Sequence, residues 1–166
     1  MKKFELTAEF VTNVFGKKLF RIKALIAFSN VKKGELGGFI EKEDNLSHSG
    51  DAWVYDNAWV YGNARVSGDA RVYGKARVSG DAWVYGNADY AVVTGFGRYF
   101  RATTFFRCKD KIIRVQCGCF YGDLAQFREI VKKTHGDSKY AKEYLAIADL
   151  MELHFSDEEE NQEAAK

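Results

Sequence analysis

Apolar and polar positions change rhythm twice along this chain. From Phe4 to Val14 and from Leu19 to Phe28 they alternate, as in Leu19-Phe20-Arg21-Ile22-Lys23-Ala24, around a polar turn at Gly16-Lys17-Lys18. Such alternation predicts a strand pair with one buried face. From Gly50 to Ala88 a six-residue phrase takes over: DAWVYD, NAWVYG, NARVSG, DARVYG, KARVSG, DAWVYG and a fading NADYAV. Beyond Gly122 the apolar positions Leu124, Phe127, Ile130 and Val131 fall at helical spacing.

The six-residue period predicts a coiled β-solenoid. Ala52, Ala58, Ala64, Ala70, Ala76, Ala82 and Ala88 recur every six residues, and Val54, Val60, Val66, Val72, Val78 and Val84 stand two places behind them. Strand side chains alternate faces, so each Ala and its Val point inward together. Both are small, which implies a narrow interior. The intervening residues, among them Trp53, Tyr55, Trp59, Tyr61, Arg65, Arg71, Tyr73, Arg77, Trp83 and Tyr85, are expected to point outward. The Gly-Asn or Gly-Asp pair after each quartet suits a corner, because both residue types tolerate positive φ.

The C-terminal region reads as two strands, Tyr99 to Phe106 and Lys111 to Cys119, followed by two helices. Asp123 is placed to cap the first helix and Gly136 to stop it. Asp137 or Ser138 opens a second, with Tyr140, Tyr144, Leu145, Ala148 and Met151 or Glu152 at helical spacing. The predicted organisation is therefore a strand-pair cap over 1–30, a repeat region over 31–95 with Val31 to Asp51 as an irregular sealing coil, a ββαα module over 96–155, and an acidic mobile tail over 156–166.

The repeat resembles the hexapeptide-repeat family, whose units stack three to a coil in a left-handed parallel β-helix. Handedness is implied by that resemblance; general crossover rules favour the opposite hand. The first coil, with Val31-Lys32-Lys33-Gly34, Gly37-Gly38-Phe39-Ile40, Asn45-Leu46-Ser47 and Gly50-Asp51-Ala52-Trp53, is similar to that of YdcK-like bacterial proteins. The C-terminal segment, with Gly118-Cys119-Phe120-Tyr121-Gly122, His135-Gly136 and Glu143-Tyr144-Leu145, resembles uncharacterised proteins encoded by phages and prophages. Three units per coil sets Trp53 against Arg71, Trp59 against Arg77 and Arg65 against Trp83, pairs able to make cation–π contacts. Tyr55 falls beside Tyr73. These outward ladders serve either to stiffen a sheet or to form a contact surface, since Trp, Tyr and Arg are the residues enriched at interface hot spots. Family members commonly trimerise, so a homotrimer is the favoured assembly.

Composition narrows the function. The 166 residues carry a net charge of +2, and five carboxylates against Lys166 in the segment from Ser156 leave the rest more basic than that total. A mildly basic body admits an anionic small ligand but is too weak a bias to imply a nucleic-acid polymer. No stretch approaches the roughly 18 apolar residues of a membrane span, and Met1 to Glu5 lacks the apolar run of a signal peptide, so a cytoplasmic protein is expected, in the host cell if phage-encoded. Cys108, Cys117 and Cys119 lack zinc-site spacing and read as reduced thiols, the latter two sharing one strand face. No metal and no cofactor is expected.

Hexapeptide acyltransferases use a histidine as general base, and the related carbonic anhydrases three zinc-binding histidines. The chain has only His48, His135 and His154, and none between Asp51 and Tyr121. Phosphate-loop, dinucleotide, serine-elbow and H-E-x-x-H motifs are absent. Asp51, Asp69 and Asp81 alternate with Asn at corners and read as corner hydrogen-bonding residues. What remains are the Trp/Tyr/Arg ladders and the basic cluster Arg98, Arg101, Arg107 and Arg114, residue types suited to stacking on rings and holding anions. The expectation is a non-enzymatic, homo-oligomeric binding protein of phage or prophage type, acting in counter-defence by sequestering a nucleotide-derived signal or blocking a host defence protein. An acyltransferase-like enzyme and a purely structural trimer are the alternatives.

Overall fold

In the computed structural model, residues 1–156 are described; the acidic tail expected over 156–166 falls almost wholly outside them. The chain is mainly β with two helices near its C-terminal end. Six two-residue strands carry the repeat: β4 (Trp53–Val54), β5 (Trp59–Val60), β6 (Arg65–Val66), β7 (Arg71–Val72), β8 (Arg77–Val78) and β9 (Trp83–Val84). They form three parallel pairs, each joining strands three units apart, in the registers Trp53↔Arg71, Trp59↔Arg77 and Arg65↔Trp83. The six Ala from Ala52 to Ala82 and the six Val from Val54 to Val84 are at most 1% exposed and form one continuous core.

Corners follow from backbone freedom. Gly50, Gly62, Gly68, Gly74 and Gly80 all adopt φ between 62° and 73°. Gly68 has a second constraint, since a Cβ there would run into the Tyr85 carbonyl. Asp56 occupies the glycine position of its unit at φ 54°, and its Oδ2 accepts a hydrogen bond from the Gly74 N–H at 3.1 Å. The seventh unit departs from the pattern: Ala88 is exposed in a 3₁₀ turn (Asn87–Asp89), and the repeat core ends at Val84.

The first layer is longer than the others. Strand β3 (Leu36–Ile40) pairs in parallel with β5 through Phe39↔Trp59, and Leu46 bridges Val66, offsets of twenty residues rather than eighteen. Since Trp53 has returned to the eighteen-residue register, the two additional residues lie between Leu46 and Trp53. That widened side holds His48. The Lys3 N–H donates to His48 Nδ1 at 3.0 Å, Phe4 stacks on the imidazole with centroids 4.2 Å apart, and His48 Nε2 lies 3.1 Å from Glu43 Oε1. Lys3 Nζ donates to the Ala52 carbonyl at 2.6 Å. The insertion thus makes a seat for the N-terminus, and His48 is one of its structural contacts.

Strands β1 (Phe4–Thr12) and β2 (Lys18–Ala24) form the antiparallel hairpin, and β2 pairs with β3, giving the sheet order β1-β2-β3-β5-β8. The hairpin and the segment after it overturn one expectation. Trp53 is not outward and available: it is fully buried, with Phe28 and Phe4 edge-on at 5.3 and 6.4 Å. Alternation set its side chain on the outer face of the ladder, but the N-terminal segment covers that face.

The C-terminal sheet has four strands where two were expected before the helices. They are β10 (Tyr90–Val93), β11 (Thr103–Arg107), β12 (Ile113–Cys117) and β13 (Phe120–Asp123), antiparallel in chain order. Residues 94–102 are a loop, in which Gly95, Gly97 and Phe100 all have positive φ. A two-residue turn, Gly118-Cys119, joins the paired Cys117 and Phe120, so Cys119 is exposed and does not share a buried face with Cys117. Helix α1 (Leu124–His135) begins at Asp123, whose Oδ1 accepts the Gln126 N–H while Gln126 reaches back to the Asp123 N–H. Ser138 caps α2 (Lys139–His154). Phe105, Val115, Phe127, Val131, Tyr144, Ala148 and Met151 form a second core. Phe106 and Cys108 instead enter the repeat core, and Ser79 Oγ bonds Gln116 Oε1 at 2.9 Å, so this sheet covers the open end of the repeat. Hiding apolar core and unpaired edges is what a repeat stack requires of its ends. No helix among the described residues is long and apolar enough to cross a membrane.

Candidate functional site

The outward ladder residues separate onto three faces. On the first, Trp53 is buried; Tyr55 donates to Asn30 Oδ1 at 3.0 Å, and Arg71 and Tyr73 border a shallow concavity with Asp56 and Asn87. On the second, Arg65, Trp83 and Tyr85 are accompanied by residues of both charge signs, Lys42, Asp44, Asp81 and Lys109. There Lys109, not Arg65, sits over the Trp83 ring, at 5.4 Å. The third face carries Trp59, Tyr61 and Arg77.

The basic cluster also divides. Arg107 pairs with Asp89 at 3.2 Å, and Arg114 makes a two-pronged pair with Asp110, both contacts 2.9 Å. The Asp110 carboxyl is held below its usual range by that guanidinium. Both arginines therefore already have a carboxylate partner within the fold. Arg98 and Arg101 have no carboxylate or hydrogen-bond partner among the described residues.

Arg101 and the third face meet in one groove of about 330 Å³, between the hairpin tip at Asn13 and Val14 and the loop at Phe100 to Ala102. Its floor is the repeat. The Arg77 guanidinium lies over the Trp59 ring at 3.9 Å, and Tyr61 stands edge-on to Trp59 at 6.5 Å. Arg77 Nη1 donates to the carbonyls of Asn57, Lys75 and Ala76 at 3.1–3.2 Å. Its Nε and Nη2 have no partner among the described residues, and burial pulls the guanidinium below its ordinary value, which leaves it charged at neutral pH. Burial likewise raises Tyr61, keeping it a phenol.

Most of the wall comes from outside the repeat. Lys75 and Arg101 bring the cations to three, and no carboxylate lines the groove. Phe100 contributes an exposed ring from a backbone at φ 54°, an uncommon conformation for a bulky residue and one often found at binding sites. Gln116 closes one end, its Nε2 donating to the Gly118 carbonyl at 2.7 Å. Asn13 Oδ1 accepts from the Phe15 and Lys17 N–H groups, while its buried Nδ2 has no partner among the described residues. Of this wall the sequence marked only Arg101, through its basic cluster, and the turn near Gly16.

Rings beside unneutralised guanidinium groups can stack on a flat ligand and grip an anion. The groove lining contains no His, Cys or carboxylate. Among the described residues no three His, Cys, Asp or Glu side chains gather as metal ligands would.

The chain is thus mainly β with a six-residue repeat segment, and a cationic, aromatic cleft lies where that segment meets the C-terminal sheet. Residues 58–74, 64–80 and 70–86 each match the YdcK Beta solenoid repeat, in registers that step by one six-residue unit. No curated protein matches the chain.

Proposed function

We propose that this is a binding protein rather than an enzyme, and that the groove takes up an anionic small molecule with a flat ring system, of the nucleotide-derived signal type. The observation that carries the reading is Arg77: stacked on Trp59, tied down through Nη1, and left with two nitrogen donors unused beside two further cations and no carboxylate. A ring between Phe100 and the Trp59–Arg77 stack, with its phosphate on Arg77, Arg101 and Lys75, satisfies these groups together.

The wider reading is a left-handed coil assembled as a homotrimer, encoded by a phage or prophage, that removes a defence signal in the host cytoplasm. Its supports are the six-residue repeat, the motifs Gly118-Cys119-Phe120-Tyr121-Gly122, His135-Gly136 and Glu143-Tyr144-Leu145 on which the expected phage resemblance rests, and Tyr73 and Tyr85, each more than half exposed on the other two faces.

Isothermal titration with a panel of cyclic and ADP-ribose-type nucleotides tests capture. Saturable heat that falls at least about tenfold in affinity with Arg101→Ala, and stays within twofold with Arg107→Ala, is expected. Absence of heat with every nucleotide removes the reading.

A further inference from the structure

The C-terminal module encloses a second and chemically different cavity. It measures about 360 Å³ and lies between the β12–β13 turn, α1 and α2. Phe120, Phe127, Ile130, Val131 and Tyr144 make its walls, which are overwhelmingly apolar, and no carboxylate lines it. Arg98, Tyr99 and Arg101, all solvent-exposed residues, also line it.

The loop bearing those arginines is held in place. The Gly97 N–H donates to Glu143 Oε2 at 2.9 Å, and a Cβ on Gly97, at φ 76°, would collide with the Tyr144 ring. Arg101 lies so close to Gly118 that a Cβ there would meet its Nη1. Arg98 and Arg101 approach Tyr140 and Tyr99 at 6.0 and 5.4 Å, and neither has an anionic partner among the described residues. His135 stacks on Tyr144 with centroids 5.8 Å apart, closing the far wall.

A mostly apolar cavity of this size, with two arginines and no carboxylate in its lining, suits a ligand with an apolar body and a single anionic head. We infer that this cavity binds an amphipathic carboxylate, its chain among Phe127, Ile130 and Val131 and its head on Arg98 and Arg101. Guanidinium forks match a carboxylate two-pronged, which favours that head over a neutral one. Arg101 also lines the nucleotide groove; Arg98 does not, so it is the residue that separates the two sites.

Titration of the full chain with decanoate, below its micelle-forming concentration, tests the inference. Expected are saturable one-to-one binding, affinity at least about tenfold weaker in the Arg98→Ala/Arg101→Ala double variant, and at least about tenfold weaker binding of decanol to the parent protein. Ile130→Trp, which adds bulk at a partly exposed helical position in the cavity lining, is expected to abolish decanoate binding. Circular dichroism confirms that the variants are folded, and the double variant, altered only at exposed loop positions, decides the matter if Ile130→Trp is not. No saturable decanoate binding, or equal affinity in the double variant, or equal affinity for decanol, overturns it.

Discussion

Arg77 lies 3.9 Å above the Trp59 ring and exactly three repeat units after it, so one residue's place in the repeat gives the other its partner. Replacing it therefore affects both ligand grip and the ladder. Arg77→Ala is expected to weaken nucleotide binding at least about tenfold and to lower the unfolding free energy by about 1 kcal/mol. Arg77→Lys keeps the charge but loses the planar fork, and falls between the two. Titration and urea unfolding of the three proteins check this order; equal affinity in Arg77→Ala contradicts it.

Trp53 has the opposite character. It is fully buried under Phe4 and Phe28, with an indole N–H that lacks a partner. Trp53→Ala should cost about 3–5 kcal/mol in urea unfolding. Trp53→Phe fills much of the space and removes the unpaired donor, so its cost is well below that. Ligand affinity stays within twofold in whichever variant is folded. Parent-like stability of Trp53→Ala would mean that the indole is not enclosed.

Lys3 supplies a pH test. Burial of its ammonium, opposed in part by Asp51, holds its pKa down to about 8 from 10.5. Between those values the unfolded chain carries a proton that the native chain has lost, so Lys3 makes the native state gain stability as pH rises. Below about pH 8 both states are protonated and the contribution is constant. The stability of the parent relative to Lys3→Met should thus be flat below pH 8 and rise from there to pH 10.5. A flat or falling difference across that window would contradict it.

Assembly is open to an equally direct check. If the faces bearing Tyr73 and Tyr85 pack a homotrimer, sedimentation equilibrium returns three times the 18.8 kDa chain, and Tyr73→Glu/Tyr85→Glu returns the single chain. A parent protein of single-chain mass would end the trimer reading.

How far the sequence revealed these features depended on the range of the interaction. The burial of the Ala and Val ladders follows from the six-residue period, which is local, while the pairing of Trp59 with Arg77 also needed the three-unit coil that the family resemblance implies. The Asp123 and Ser138 caps are local too. Covering of Trp53 was not legible, because alternation says which face a side chain takes and not what later lies on that face. Neither ion pair was legible: Arg114 meets Asp110 through a turn into a strand, where four-residue spacing has no helical meaning, and a strand pairing brings Arg107 to Asp89. The groove was half legible: its floor and Lys75 stand in the repeat and Arg101 in the basic cluster, while Asn13, Phe100 and Gln116 reach it only through the placement of a hairpin tip, a loop and a sheet.

The central claim, that the groove on the Trp59–Arg77 face captures a nucleotide-type anion, is tested most directly by the three tryptophan indole signals in a ¹H–¹⁵N correlation spectrum. Trp59 lines the groove, Trp53 is enclosed, and Trp83 lies on another face. On titration with the tightest-binding nucleotide of the panel, the Trp59 signal should shift saturably while those of Trp53 and Trp83 stay nearly fixed. A Trp83 shift with Trp59 unmoved, or no shift in any indole at saturation, would contradict the account.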